Sequence, residues 1–272
     1  MPFAEIGDLQ LYYERAGEGP PLLLMSGTGG DLRQKPSVFS GALPTHFDLL
    51  AYDQRGLGRS DKPEVDYTMA DYANDAMGLL DEVGWSRCHV IGISFGGMVA
   101  QELVLRYPER VQRLVLACTS SGGRGGASYP LHTLAELSES ERAIRWMEIG
   151  DVRLDANWQK ENPDAMARIL AGMAKRQHPD SARPEWLEGA ARQLAARREH
   201  DTWSRLGEIG CPTLVCGGLH DGIAPPTNLI ALAEGIRESE LAWFEGGHLF
   251  LLQDRNAWPR IIDFLLTRDD ES

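Results

Sequence analysis

A serine flanked by glycines stands where a predicted strand meets a predicted helix. The segment Gly92-Ile-Ser-Phe-Gly-Gly97 follows an apolar run and opens an amphipathic stretch. A serine at such a junction must sit on a tight turn, with its hydroxyl at the positive end of the helix, and glycines two residues either side leave room for the backbones. The spacing predicts that Ser94 is a nucleophile, provided that the chain also supplies a base and an acid.

Asp221 and His248 are the predicted partners of Ser94. A serine hydroxyl needs a base within hydrogen-bond reach, and an acid must hold that base. In a strand–turn–helix arrangement the partners sit on loops after later strands, in the chain order serine, acid, histidine. Asp221 follows the predicted strand Thr213 to Cys216, and His248 follows Leu241 to Phe244, so the order is met.

Two rivals for these roles are less well placed. His220 precedes the acid, and adjacent side chains point in diverging directions. Glu245 lies too close along the chain to His248 to face it easily. The other histidines lack such a placement, and we expect them on the surface or in packing positions: His46, His89, His132, His178 and His200.

Two backbone amides are predicted to stabilise the oxyanion that forms when a serine attacks a carbonyl. One is the amide of Phe95, at the helix start. The other comes from the glycine-rich turn Ser26-Gly-Thr-Gly-Gly-Asp31, where we place it at Thr28, with Gly29 as the alternative. A phosphate-binding loop fits this turn poorly, because it lacks both a Gly-Lys-Ser/Thr ending and the Gly-x-Gly-x-x-Gly spacing.

The elements that must position these residues alternate between short apolar runs and amphipathic stretches, as in an α/β fold with a largely parallel sheet. The predicted strands are Leu9 to Tyr13, Pro21 to Met25, Leu49 to Asp53, Cys88 to Ile93, Val111 to Cys118, Thr213 to Cys216 and Leu241 to Phe244. The predicted helices are Met69 to Glu82, Phe95 to Tyr107, Pro226 to Ile236 and Trp258 to Leu266.

The alternation breaks between residues 119 and 205, where only helical patches loosely joined by Gly and Pro are evident. This segment, called the insertion below, holds four of the seven tryptophans and carries 13 basic and 13 acidic residues. The net charge of −13 therefore belongs entirely to the rest of the chain. We predict two regions with different roles.

Composition excludes several function classes. A chain of 272 residues with 43% hydrophobic residues has ample material for a core. Its net charge of −13 disfavours binding to nucleic acids and to anionic membranes. The four cysteines form no Cys-x-x-Cys pair, the start has no basic leader, and no apolar run spans a bilayer, so we expect a cytoplasmic protein with reduced thiols.

Taken as an ordered set, these motifs closely resemble the α/β-hydrolase fold family, in particular its small esterases, 3-oxoadipate enol-lactonases and cofactor-free haloperoxidases. The resemblance also includes Asp53-Gln-Arg-Gly-Leu-Gly-Arg-Ser60, a structural turn in that family. It implies a mostly parallel, eight-stranded type of sheet flanked by helices. It also implies a core of residues 1–118 and 206–272 and a helical cap, residues 119–205, inserted after the sixth strand.

Three features of the chain bear on which branch of the family it resembles. Most relatives have His-Gly where this chain has Ser26-Gly27, which leaves the oxyanion amide intact but changes the side chain beside it. Haloalkane dehalogenases and epoxide hydrolases of this fold use an aspartate nucleophile, so Ser94 argues against both. The Gly-Gly-Gly-Pro type of loop found in carbon–carbon bond hydrolases is also absent.

The sequence thus predicts a serine hydrolase of small carboxylic esters or lactones that needs no metal and no organic cofactor. The neutral insertion, rich in Trp and Met, favours an apolar or aromatic small-molecule substrate. Carbon–carbon bond hydrolysis and perhydrolase or haloperoxidase-like activity would use the same three residues. A ligand receptor on a hydrolase scaffold is the alternative from another class. The sequence leaves open whether the chain forms a homo-oligomer.

Overall fold

A computed structural model describes residues 2–176 and 179–267 of the chain. Its centre is an eight-stranded sheet in the order β1-β2-β4-β3-β5-β6-β7-β8. All neighbours from β4 to β8 are parallel, and β1 and β2 add an antiparallel edge. The strands are β1 Phe3–Ile6, β2 Leu9–Ala16, β3 Pro21–Met25, β4 Asp48–Tyr52, β5 Cys88–Ile93, β6 Val111–Ala117, β7 Thr213–Gly218 and β8 Ser239–Phe244.

Helices cover both faces of the sheet. They are α1 Met69–Glu82, α2 Phe95–Arg106, α3 Glu139–Gly150, α4 Ala156–Glu161, α5 Pro163–Arg176, α6 Pro184–Arg198, α7 Pro226–Gly235, α8 Phe250–Gln253 and α9 Ala257–Leu266. The central strands are apolar throughout because they bury both faces. Val90 of β5 packs into the core layer beneath α1, α2 and α7, whereas its neighbour Ile91 packs on the α9 side.

The predicted architecture is confirmed, with two differences in detail. Strand and helix ends differ from the predicted ends by at most three residues, and the sequence reasoning missed β1. That strand lies at the antiparallel edge and alternates buried and exposed residues, with Phe3 41% exposed. Its short mixed pattern therefore lacks the continuous apolar run that marks the central strands.

The insertion leaves the sheet after β6 and returns before β7. Its described residues form α3 to α6 and short 3-10 turns, and their only strand-like pairing is the bridge between Gly122 and Asp201. Several glycines of the insertion are tightly packed, since a Cβ on Gly122 would lie 1.9 Å from the His200 carbonyl oxygen, whereas Gly150 and Gly172 have open space around them. At its base Thr202 Oγ1 donates to Gln101 Oε1 at 2.6 Å.

The cysteines are buried, and the histidines without a predicted catalytic role are divided between buried and exposed positions. Cys88, Cys118, Cys211 and Cys216 are all buried and free. His89 and His200 are buried, His46 and His132 are exposed, and His178 lies outside the described residues. Across residues 2–176 and 179–267, no helix has the length and apolar character to cross a bilayer.

Candidate active site

Ser94 occupies a sharp turn between β5 and α2. Its backbone has φ 54° and ψ −114°, a conformation that few residues other than glycine adopt. Both flanking glycines are needed for space, since a Cβ on Gly92 would lie 2.5 Å from the Gly96 carbonyl oxygen, and one on Gly96 would lie 2.1 Å from that of Met25. Thr119 Oγ1 donates to the Ser94 carbonyl at 2.7 Å and secures the turn. Strain of this kind marks functional sites.

His248 and Asp221 complete a hydrogen-bonded relay with Ser94. The Nε2 atom of His248 lies 3.0 Å from Ser94 Oγ, and its Nδ1 atom lies 2.7 Å from Asp221 Oδ2. The other carboxylate oxygen of Asp221 accepts the amides of Ile223 at 2.7 Å and Ala224 at 2.9 Å. Because the carboxylate can only accept, Nδ1 donates to it and Nε2 is left to accept the serine proton.

The rival residues lie apart from this relay. The His220 imidazole faces the Glu245 carboxylate, with Nε2 3.8 Å from Oε2, and 69% of the Glu245 side chain is exposed. Adjacency to Asp221 therefore does not bring the His220 ring to Ser94. The structure thus brings together the three side chains singled out from the sequence.

The predicted oxyanion loop, residues 26–31, lies directly against Ser94. A Cβ on Gly27 would be 3.3 Å from Ser94 Cβ. Among the described residues, the amides of Thr28 and Phe95 have no hydrogen-bond acceptor. The amide of Gly29, the alternative donor, instead donates to Gln193 Oε1 at 2.9 Å. The geometry thus favours Thr28 over Gly29.

The turn that begins at Asp53 is hydrogen-bonded to this loop and to the residue that follows it. Asp53 is fully buried, and its carboxylate accepts the amides of Leu32 at 2.7 Å and Arg59 at 2.9 Å. The side-chain amide of Gln54 donates to the Ser26 carbonyl at 2.7 Å. Burial raises the pKa of Asp53, while the two backbone amides oppose that rise. The turn therefore holds the oxyanion loop in place and does not reach the serine.

Sequence reasoning missed three residues that shape the site. Gln54, Thr119 and Gln193 each bond to the backbone of the serine turn or the oxyanion loop. The motif around Asp53 indicated a turn near the site but did not single out Gln54. Nothing local marks Gln193, which is 164 residues from Gly29 along the chain.

The end of α3 is tied to the loops that carry the acid and the base. The His248 amide donates to the Gly150 carbonyl at 2.6 Å, and the Gly222 amide donates to the Ile149 carbonyl at 3.0 Å. The Val152 amide returns a bond to the His220 carbonyl at 2.9 Å. The insertion therefore contacts both loops through main-chain hydrogen bonds, which do not depend on side-chain identity.

Three of the four tryptophans of the insertion have contacts that place them relative to the site. A Cβ on Gly29 would lie 3.8 Å from the ring of Trp186, so this indole borders the oxyanion loop. Trp146 packs against the cluster that contains Ile223, two residues beyond Asp221. Trp203 packs instead against the main core. Two of the four tryptophans of the insertion, Trp186 and Trp146, therefore lie near the loops that carry Thr28 and Asp221.

Cys118 is the remaining chemical group beside the relay. Its Sγ and ligand atoms of Asp221 and His248 lie within 4.8 Å of one another, which is close enough for a metal site. Burial and the nearby Asp221 carboxylate raise the pKa of the Cys118 thiol well above its usual value. A neutral thiol is a poor metal ligand, and the other two groups already bond to each other, so we assign no metal here.

Comparison with known proteins identifies the family. The model of the α/β-hydrolase fold matches residues 20–168, which is more than half of the chain. The chain therefore belongs to the α/β-hydrolase fold family, a family of hydrolases.

Individual relatives cover the chain almost end to end. A putative carbamate hydrolase, RutD, of Variovorax paradoxus is 30% identical over 94% of this chain and 96% of its own length. A 2-hydroxy-6-oxononadienedioate/2-hydroxy-6-oxononatrienedioate hydrolase of Paraburkholderia xenovorans is also 30% identical, over 95% and 91%. The crystal structure of an enol-lactonase from Burkholderia xenovorans superposes with a TM-score of 0.78 at 24% identity, covering 98% of this chain and all of the other.

Proposed function

We propose that the protein is a serine hydrolase of small carboxylic esters or lactones. The observation that carries this proposal is the relay from Ser94 through His248 to Asp221, at 3.0 and 2.7 Å, beside the amides of Thr28 and Phe95, which have no acceptor within residues 2–176 and 179–267. Such a relay supplies the nucleophile, the base and the group that orients the base. The two amides supply donors for a developing oxyanion.

In the proposed reaction Ser94 Oγ attacks the acyl carbon while His248 Nε2 takes the hydroxyl proton. The carbonyl π electrons move onto the oxygen, which the amides of Thr28 and Phe95 stabilise. The oxyanion then collapses, the bond to the alcohol oxygen breaks, and His248 returns its proton to that leaving oxygen. A water molecule, deprotonated by His248, attacks the acyl-enzyme in the same way and releases the acid and Ser94.

The residues of the insertion near the site support the proposal that the substrate carries an apolar or aromatic group. Trp186 borders the oxyanion loop, and Trp146 packs with the apolar cluster beside the Asp221 loop. We propose that residues 119–205 act as a cap over the catalytic edge of the sheet. Its main-chain bonds to the loops of Asp221 and His248 support this role.

A substrate panel tests the proposal. Purified protein would be assayed with short-chain esters, aryl esters, lactones, carbamates and vinylogous diketones, alongside Ser94→Ala. We expect ester or lactone turnover by the native chain and its loss in Ser94→Ala. A serine-directed fluorophosphonate should label the native chain at Ser94, as mapped by peptide mass spectrometry.

The other arms of the panel decide between activities that share this relay. Selective turnover of carbamates or of vinylogous diketones, with neither esters nor lactones cleaved, would replace the proposed substrate class while keeping the mechanism. Full ester turnover by Ser94→Ala would overturn the mechanism itself. Ligand-dependent thermal stabilisation without any turnover would instead indicate a receptor.

A further inference from the structure

Gln193 joins the insertion to the oxyanion loop. It lies on α6, is fully buried, and its Oε1 accepts the amide proton of Gly29 at 2.9 Å. Gly29 has φ +69°, in the left-handed region. A side chain of the insertion is therefore hydrogen-bonded to the backbone of the loop that follows β3.

This hydrogen bond acts on the peptide unit next to the proposed oxyanion donor. The amide of Gly29 and the carbonyl of Thr28 belong to one planar group, so holding the amide stops that plane from rotating. The Gly30 amide closes the turn by donating to the Gly27 carbonyl at 3.1 Å. With both bonds in place, the Thr28 amide keeps a fixed direction beside Ser94.

The hydrogen bond between Gln193 and Gly29 also determines which backbone amide is available to the oxyanion. If Gly29 had no acceptor, its amide would compete with that of Thr28 for the developing oxyanion, and glycine allows the loop to rotate towards either arrangement. Gln193 occupies the Gly29 amide and leaves the Thr28 amide without an acceptor among the described residues. Catalysis by preorganised donors depends on such a fixed arrangement.

The remaining bonds to the loop cannot replace this one. Gln54 bonds to the Ser26 carbonyl, at the start of the loop. Gln34 donates to the Gly29 carbonyl at 3.1 Å from an exposed position, where water competes with the side chain. Among the described residues, Gln193 alone accepts the Gly29 amide, and its side chain is fully buried whereas Gly29 is partly buried.

We propose that Gln193 is a positioning residue that sets the oxyanion loop for catalysis, so that seating of α6 and assembly of the oxyanion hole are coupled. This inference rests on the proposed function, because it assumes that the Thr28 amide stabilises an oxyanion. Gln193 itself acts through Gly29 and Thr28. The loop is complete only when the insertion is seated on it.

The test compares Gln193→Met with a matched variant, Gln159→Met. Methionine has nearly the length of glutamine but offers no comparable acceptor. Gln159 bonds to Glu148 Oε1 at 3.0 Å and to the Leu154 carbonyl at 2.9 Å, and both of these lie within the insertion. The matched variant therefore perturbs the insertion without touching the oxyanion loop. Gln193→Asn, which is too short to reach Gly29, carries the test if Gln193→Met fails to fold.

Three measurements are made on each folded variant with the best substrate of the panel. They are kcat, KM, and the inhibition constant of a trifluoromethyl ketone. Ser94 Oγ adds to the ketone carbon, His248 takes the serine proton, and the carbonyl electrons form an oxyanion, so this inhibitor mimics the reaction intermediate. Losing one oxyanion donor costs about 10²–10³-fold in kcat.

Because Gln193→Met would misplace an oxyanion donor without removing it, we expect this variant to lower kcat by about 10–100-fold. KM should change less than about threefold, and inhibitor affinity should fall in parallel with kcat/KM. Gln159→Met should keep native kcat and inhibitor affinity. The inference is overturned if Gln193→Met keeps native kcat, or if both variants lose activity equally. Failure of the proposed function is distinct, since the native chain itself would then neither cleave esters nor react at Ser94.

Discussion

Replacing Asp221 by asparagine should disable the relay while preserving the fold. In the native chain one oxygen of Asp221 accepts two backbone amides, from Ile223 and Ala224, and the other accepts from His248 Nδ1. Asparagine has a single oxygen. The two backbone donors will hold that oxygen, so the NH2 group must face His248.

This orientation changes the tautomer of the His248 imidazole. Facing a donor, His248 Nδ1 must become an acceptor, and the ring proton moves to Nε2, 3.0 Å from Ser94 Oγ. A protonated Nε2 cannot accept the serine proton. In serine hydrolases with this relay the same tautomer error lowers kcat by about 10⁴-fold, which corresponds to about 5 kcal/mol of transition-state stabilisation. Stability should change by only about 1 kcal/mol, because each hydrogen bond is replaced by a neutral one.

The assay pairs steady-state kinetics with urea unfolding of the native chain, Asp221→Asn and Glu245→Gln. The Glu245 carboxylate is exposed and faces His220, so Glu245→Gln should keep native kcat. The reasoning is refuted if Asp221→Asn keeps more than about a tenth of native kcat. A urea midpoint of Asp221→Asn close to zero would show instead that the variant is unfolded in the assay buffer and that its loss of activity comes from unfolding.

Three further predictions concern packing, pH and substrate choice. Gly96→Ala should unfold or strongly destabilise the chain in thermal melts, because its Cβ would lie 2.1 Å from the Met25 carbonyl oxygen, whereas Gly172→Ala has open space and should be neutral or stabilising. Burial lowers the pKa of His200 to about 4, so below about pH 6.5 the unfolded chain binds a proton that the folded chain excludes. Native stability should therefore fall as the pH drops from 6.5 to 4, and His200→Gln should reduce that slope by about 1.4 kcal/mol per pH unit in urea titrations; equal slopes would contradict this. Trp186→Ala should raise KM for aryl esters by about 2–10-fold relative to short-chain alkyl esters. An equal change of KM for both ester classes would place the indole outside the substrate site.

Local patterns in the sequence were sufficient to predict most of the fold. The central strands are buried on both faces, so their apolar runs stand out, and the helices between them show a regular amphipathic spacing. β1 was missed because an edge strand exposed on one side needs no such run. Composition also cannot distinguish the crowded glycines of the insertion, such as Gly122, from those in open space, such as Gly172, because it shows backbone freedom but not the contacts that remove it.

The sequence by itself determined the serine turn and the order of Ser94, Asp221 and His248, since each follows a strand and the carboxyl ends of parallel strands share one edge. Only the tertiary structure decided how the rest of the site is held. The bond from Gln193 to Gly29 spans 164 residues, and the bond from His248 to Gly150 joins a loop of the sheet to the insertion. No local pattern encodes such pairs, because a buried side-chain amide or a main-chain carbonyl gains its role only from the partner that folding brings to it.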